Sequence, residues 1–133
     1  MSERTLVVVP TYNERDNLPK LVDRLLALQD SVEILVVDDG SPDGTGEWVA
    51  ETAAKDSRIH LLARTAKNGL GRAYVAGFQW ALDHRYDLIV QMDADFSHSP
   101  EDVPKLLAGI RESGADLAIG SRYVNGIRVI NWP

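Results

Sequence analysis

The sequence contains no cysteine. Disulfide bridges and thiolate metal sites are therefore excluded, and the fold must be stabilised by an ordinary buried core. A chain of 133 residues, 44% of them hydrophobic, can form such a core. A domain of this length buries roughly two-thirds of the surface that its unfolded chain exposes. We predict one compact domain without an internal linker or repeat.

An excess of basic charge is also missing. The chain has 14 lysines and arginines against 20 aspartates and glutamates, a formal charge of −6. This balance disfavours a nucleic-acid partner. No apolar run reaches the roughly 18 to 20 residues that span a bilayer, and the first residues show no signal-peptide pattern.

The glycine fingerprints of two common nucleotide-binding folds are absent. A dinucleotide-binding domain would carry Gly-x-Gly-x-x-Gly after its first strand, where this chain has Pro10-Thr11-Tyr12-Asn13-Glu14. Gly69 and Gly71 come later and lack the third glycine, and no Walker A loop is present. An NAD-binding domain is therefore disfavoured.

Short β-branched runs alternate with segments of helical period along the chain. This pattern predicts an α/β fold, a Rossmann-like core with a mostly parallel sheet flanked by helices. The predicted strands cover residues 6–9, 34–37, 59–63, 87–92 and 115–120. A helix is predicted to begin after Ser99 as N-cap, with Pro100 at its first position, and to end at Gly114.

Unusual polar residues follow four of the predicted strands. They are Tyr12 and Glu14, Asp38 and Asp39, Asp93 and Asp95, and Arg122. Parallel strands end at the same edge of a sheet, and ligands of such sheets bind at that edge. The sequence therefore predicts one ligand site there.

Asp93-Ala94-Asp95 is the central feature of this predicted site. Two carboxylates spaced i, i+2 at a strand end can both reach one hard cation, and Mg²⁺ and Mn²⁺ prefer oxygen ligands. Such a metal would stabilise the diphosphate leaving group of a nucleotide-activated sugar. The alternative interpretation is a solvated acidic turn.

The two earlier strand ends each allow a structural and a functional interpretation. Asp38 and Asp39 either belong to a tight turn or offer one carboxylate to the turn amides and the other, preferably Asp39, outward to a nucleobase. Tyr12 could stack on a base and Glu14 could hydrogen-bond it, or Asn13 and Glu14 only cap the first helix. Arg122 suits a phosphate group, because its donors form a fork.

Five motifs in order resemble those of the polyprenyl (dolichyl) phosphate mannose synthases, inverting family 2 glycosyltransferases with the GT-A fold. The motifs are Pro10-Thr11-Tyr12-Asn13-Glu14, Asp38-Asp39-Gly40-Ser41-Pro42-Asp43-Gly44-Thr45, Asn68-Gly69-Leu70-Gly71, Met92-Asp93-Ala94-Asp95 and Gly120-Ser121-Arg122-Tyr123. The similarity extends from about Thr5 to Pro133.

The resemblance implies a role for each matching position. Pro10, Tyr12, Glu14, Val37 and Asp39 would hold the guanosine of GDP-mannose. Asp93, Ala94 and Asp95 would contact the donor, with Asp95 as the main ligand of Mg²⁺ or Mn²⁺ and Arg122 on phosphate. A further metal ligand, often glutamine in the family, corresponds to Ser97 here.

The resemblance also implies an activity: metal-dependent, inverting transfer of mannose to a polyprenyl phosphate. We expect residues 1–133 to form the donor-binding part of a GT-A domain, with the acceptor part missing. We expect the full-length protein to lie at the cytoplasmic face of a membrane, with a membrane-anchoring partner protein. Two alternatives are a family 2 transferase that uses UDP-glucose or another donor, and a nucleotide-sugar-binding module that has no turnover because the chain is truncated.

Overall fold

The computed structural model describes residues 4–28, 32–64, 70–92, 94, 103–104 and 128–131. Strands and helices alternate through most of this part of the chain. The elements are β1 (Thr5–Thr11), α1 (Leu18–Leu26), β2 (Glu33–Asp38), α2 (Thr45–Lys55), β3 (Ile59–Ala63), α3 (Leu70–Asp83), β4 (Leu88–Gln91) and β5 (Arg128–Asn131).

The five strands form one sheet in the order β3-β2-β1-β4-β5. Strands β1 to β4 run parallel, and β5 pairs antiparallel with β4, so the predicted mostly parallel sheet is confirmed. The sequence did not predict β5, whose register pairs Leu88 with Asn131 and Gln91 with Arg128. The predicted strand 115–120 lies outside the described residues, as does most of the helix predicted after Ser99, of which residues 103–104 are helical.

Both faces of the central strands are buried. Val7 and Val9 of β1 pack with α1 on one face, whereas Leu6 and Val8 pack with α3 on the other. Successive side chains of a strand point to opposite faces, so a strand covered on both sides requires a continuous apolar run. The uninterrupted run of β-branched and leucine residues in β1 and β2 meets that requirement.

Helix α3 approaches β1 closely at Gly77. A Cβ atom at this position would lie 2.6 Å from Cγ1 of Val8 and 3.4 Å from Cγ2 of Val37. The missing side chain therefore sets how near the helix lies to the sheet.

Pro10 lies in the central strand β1 although it has no N–H to donate. Strand β4 pairs with β1 only as far as Val8, which faces Gln91. The N–H of Met92 donates to the carbonyl of Val8 at 3.1 Å, so alternate residues of β1, Pro10 among them, direct their backbone groups toward β4. Proline is tolerated there because that ladder has already ended.

Candidate functional site

Two loops meet at the carboxyl edge of the sheet: residues 12–17 after β1 and residues 39–44 after β2. Asp38 joins them at the base. Its Oδ1 accepts hydrogen bonds from Thr11 Oγ1 at 2.8 Å and from Ser41 Oγ at 2.5 Å, and its Oδ2 accepts from the Ser41 N–H at 3.1 Å. The prediction that one of the two adjacent acids serves a turn amide is therefore confirmed for Asp38.

The second loop and the first residue of α2 also hold the backbone of the first loop. The N–H groups of three consecutive residues donate to three side chains: Asn13 to Ser41 Oγ at 2.9 Å, Glu14 to Thr45 Oγ1 at 3.2 Å, and Arg15 to Asp43 Oδ2 at 3.1 Å. We call these three hydrogen bonds the loop brace.

The loop brace fixes an unusual backbone conformation. Asn13 has a φ of 59°, which non-glycine residues seldom adopt. Asp43 also accepts hydrogen bonds from the N–H and the hydroxyl of Thr45, the first residue of α2. Burial raises the pKa of Asp43, but the hydrogen bonds from Thr45 and Arg15 outweigh this effect and lower it. The carboxylate that holds the loop is thus kept ionised at neutral pH.

Asp39 lies beside Arg64, the residue that follows β3. The Arg64 N–H donates to the Asp38 carbonyl at 2.8 Å, which brings the arginine alongside the end of β2. Nε of Arg64 lies 3.4 Å from Oδ1 of Asp39, and both side chains are largely buried. We expected Asp39 to offer its carboxylate outward, whereas the structure has this side chain largely buried beside Arg64. Its contact with a nucleobase stays a prediction.

The remaining candidates of the two loops lie near one another. Pro10 and Val37 are buried register partners on neighbouring strands. The ring of Tyr12 is 38% exposed at the same edge. Glu14 is half-buried, and its Oε2 accepts a hydrogen bond from Asn17 Nδ2 at 3.2 Å.

The interpretation of Asn13 and Glu14 as mere helix caps was wrong. Helix α1 begins at Leu18 with Asn17 as its N-cap. Glu14 contributes only its carbonyl, which accepts from the Leu18 N–H at 2.8 Å. The side chain of Glu14 is therefore directed to Asn17 rather than to the helix amides.

Of the residues predicted to contact the metal, the phosphates or the rest of the donor after β4, the structure describes only Ala94. It is buried in the core formed with α1 and α2, three residues after the last residue of β4. Asp93, Asp95, Ser97 and Arg122 lie outside the described residues, and their roles stay predictions. Within the described ranges no group of three histidines or acids could hold a metal ion.

Arg64 is the residue that the sequence analysis missed. The same pattern that indicated the other candidates, a charged residue directly after a predicted strand, would have indicated Arg64. Asp39 and Arg64 each keep one buried atom, Oδ1 and Nη1, without a hydrogen-bond partner in the described part of the chain.

The helices of the described residues are too short or too polar to cross a membrane.

Comparison with known families gives a match along almost the whole chain. The family described as "Glycosyl transferase family 2" matches residues 6–133. A polyprenol monophosphomannose synthase of Mycolicibacterium smegmatis is 56% identical over 133 residues, covering 99% of this chain and 50% of the relative. An undecaprenyl-phosphate mannosyltransferase of Micrococcus luteus is 52% identical, covering 98% of this chain and 53% of the relative. The chain thus spans about half the length of these relatives.

Solved structures agree on the fold. A mannosyltransferase of Pyrobaculum calidifontis, in complex with GDP-Man and Mn²⁺, is 31% identical with a TM-score of 0.56, covering 71% of this chain and 28% of that chain. TarS of S. aureus has a TM-score of 0.67 at 23% identity, covering 91% of this chain and 38% of that chain, and is similar in fold alone. The predicted α/β fold class of the GT-A type is confirmed.

Proposed function

Since this chain belongs to glycosyl transferase family 2, we propose that it is the donor-binding part of an enzyme that transfers mannose from GDP-mannose to a polyprenyl phosphate. The observation that carries the proposal is the high identity to relatives named for this transfer, at 56% and 52% along nearly the whole chain. The Pyrobaculum mannosyltransferase in complex with GDP-Man and Mn²⁺ supports the same donor.

The loops after β1 and β2 form the guanosine end of the proposed site. Pro10 and Val37 make a buried apolar floor, and Tyr12 stacks its exposed ring on the base. Asp39 and Glu14 accept hydrogen bonds from the nucleoside. The loop brace keeps these groups in position before the donor arrives, which lowers the entropy cost of binding.

The diphosphate end of the proposed site follows β4. Asp93, Asp95 and Ser97 are all oxygen donors, and that chemistry fits Mg²⁺ or Mn²⁺. A bound metal supplies positive charge to the leaving diphosphate. Ala94, which lies between the two carboxylates in the sequence, packs into the core. Arg122 holds a phosphate group in the proposed site.

The acceptor needs little activation in this reaction. A phosphate monoester has a second pKa of about 6 and is mostly ionised at neutral pH, so its oxygen is already a nucleophile. One in-line displacement at the anomeric carbon inverts the configuration. The main task of the protein is to bring two anions together by neutralising charge and fixing geometry. The proposed lipid acceptor places the reaction of the full-length protein at a membrane surface. We propose that the protein works there peripherally, on the cytoplasmic side.

Calorimetric titration of the chain tests the donor. GDP and GDP-mannose should bind at least about tenfold more tightly with Mn²⁺ than with a chelator, and more tightly than UDP-glucose or NAD. Equal affinities for these nucleotides, or no effect of the metal, would contradict the proposal. Transfer of radiolabelled mannose to a polyprenyl phosphate then separates an enzyme from a binding module without turnover.

A further inference from the structure

Asp39 and Arg64 form an ion pair at the carboxyl edge of the sheet. The pair lies on the face of the sheet that packs against α3. Asp38 and Ala63 are register partners at the ends of β2 and β3, so the next residue on each strand stands beside the other. Val37 and Leu62, two positions earlier, both pack in the cluster formed with α3. Because side chains alternate along a strand, Asp39 and Arg64 continue that same face.

The pair is buried but incompletely bonded. The exposed fraction of the side chain is 7% for Asp39 and 16% for Arg64. Their 3.4 Å approach is an ion-pair distance, yet Asp39 Oδ1 and Arg64 Nη1 have no hydrogen-bond partner among the described residues. A buried charged group without its hydrogen bond is costly, so each of these side chains has an unmet hydrogen bond that a ligand can supply.

The two groups complement one kind of nucleobase edge. A carboxylate accepts hydrogen bonds and a guanidinium only donates them. Guanine offers a ring N–H beside its 6-oxo oxygen, whereas adenine has an amino group at that position. An amino group would oppose the donors of the arginine, and the unprotonated ring nitrogen of adenine would oppose the carboxylate.

We propose that Arg64 is a specificity-determining residue, which donates a hydrogen bond to the 6-oxo oxygen of guanine while Asp39 accepts one from the adjacent ring N–H. This inference rests on the proposed function, because guanine is the base of that donor. Uracil also has an oxo group beside a ring N–H. Arg64 therefore discriminates bases with an oxo group at this position from bases with an amino group, and it does not discriminate guanine from uracil.

The test compares GDP, the diphosphate of 6-thioguanosine and ADP by calorimetry on the chain with Mn²⁺. The thio analogue keeps the ring N–H but replaces the 6-oxo oxygen by sulfur, a weak acceptor. The wild-type chain should bind GDP about tenfold more tightly than the analogue, and ADP should bind more weakly than either.

Arg64→Met should lose about ten- to hundredfold in GDP affinity and should bind GDP and the thio analogue equally. Arg64→Lys should keep part of the preference, because it retains a single donor without the fork. Arg58→Met is the matched control, since Arg58 pairs with Asp56 at 2.8 Å near the start of β3, far from the site. It should leave the affinity ratio unchanged.

A structural role alone would lower the affinity for GDP and the thio analogue equally, so an unchanged ratio in Arg64→Met overturns the inference. Equal binding of GDP and the thio analogue by the wild-type chain overturns the inference as well. If Arg64→Met does not fold, this wild-type comparison is the deciding test. A wild-type chain that binds no GDP overturns the proposed function and this inference together. If the wild-type chain binds GDP but Arg64→Met keeps the wild-type ratio of affinities for GDP and the thio analogue, only the inference about Arg64 is overturned.

Discussion

The hydroxyl of Tyr86 donates a 2.7 Å hydrogen bond to Oε1 of Glu33, although the two residues are 53 positions apart in the chain. The same oxygen lies 2.9 Å from His60 Nε2, and Arg4 lies over the Tyr86 ring at 4.2 Å. Glu33 begins β2 and Tyr86 comes two residues before β4, so the bond ties the amino ends of the strands together. This polar cluster lies at the edge opposite the candidate site.

Acid should destabilise the protein partly through Glu33. Burial raises its pKa, but hydrogen bonds from His60 and Tyr86 and the charge of Arg4 outweigh this effect and lower it. A carboxyl with a lowered folded-state pKa stabilises the fold above its unfolded pKa of about 4.5, and this contribution is lost as pH falls toward the folded value. Urea unfolding between pH 3 and 7 should therefore show a shallower pH dependence for Glu33→Gln. Glu51→Gln, on the exposed side of α2, should follow the wild type, and identical slopes for Glu33→Gln would contradict the assignment.

Gly77→Ala should lower the free energy of unfolding by about 1–3 kcal/mol, because the new methyl group would overlap Val8. Chemical denaturation measures the change. Val8→Ala opens space at the same contact, so the double variant should lose less stability than the two single variants combined. Strict additivity would show that the close approach of α3 does not cause the loss.

The two adjacent acids after β2 should respond differently to the same isosteric change. Asp38→Asn should reduce stability by about 1–3 kcal/mol, because the carboxylate accepts hydrogen bonds from Thr11 and Ser41. Asp39→Asn should weaken GDP binding about tenfold or more and cost less stability. Thermal unfolding and calorimetry on both variants separate these effects. A larger loss of stability in Asp39→Asn and a larger loss of GDP affinity in Asp38→Asn would show that the two roles are assigned the wrong way round.

The loop brace should matter for affinity more than for stability. Asp43→Ala removes the acceptor of the Arg15 N–H and should weaken GDP binding about five- to tenfold, because the first loop is no longer held before binding. Asp43→Asn keeps one acceptor oxygen and should lose less. Asp56→Ala is a suitable control: Asp56 also accepts a backbone hydrogen bond, from Arg58, but it precedes β3 at the opposite edge. Equal losses in both alanine variants would argue against a local effect.

Asp95→Ala should abolish the metal dependence of GDP binding and leave the thermal unfolding midpoint nearly unchanged. The expectation follows from its predicted role as the main metal ligand. Calorimetry with Mn²⁺ and with a chelator should give the same affinity for the variant and different affinities for the wild type. Asp83→Ala, at the exposed end of α3, is the control and should keep the metal response. A retained metal effect in Asp95→Ala would remove this residue from the site.

Local patterns in the sequence determined much of this protein. Short apolar runs predicted β1 to β4. In β1, β2 and β4 the run is continuous because the strand is buried on both faces. Polar residues at the strand ends predicted which edge carries the candidate site, because parallel strands all end on one side. The turn residues from Asp38 to Thr45 likewise indicated the loop that now forms the brace.

Only the tertiary structure decided which of those residues meet. The strand order, the antiparallel strand β5, the contact of Gly77 with Val8 and the bond from Tyr86 to Glu33 all join residues far apart in the chain. The burial of Asp39 against Arg64 is of the same kind. Hydrophobic period and turn chemistry act over a few residues, whereas these contacts depend on how whole strands and helices pack. No local pattern specifies that packing. It is the packing that brings Arg64 beside Asp39 and makes it a candidate for nucleobase recognition.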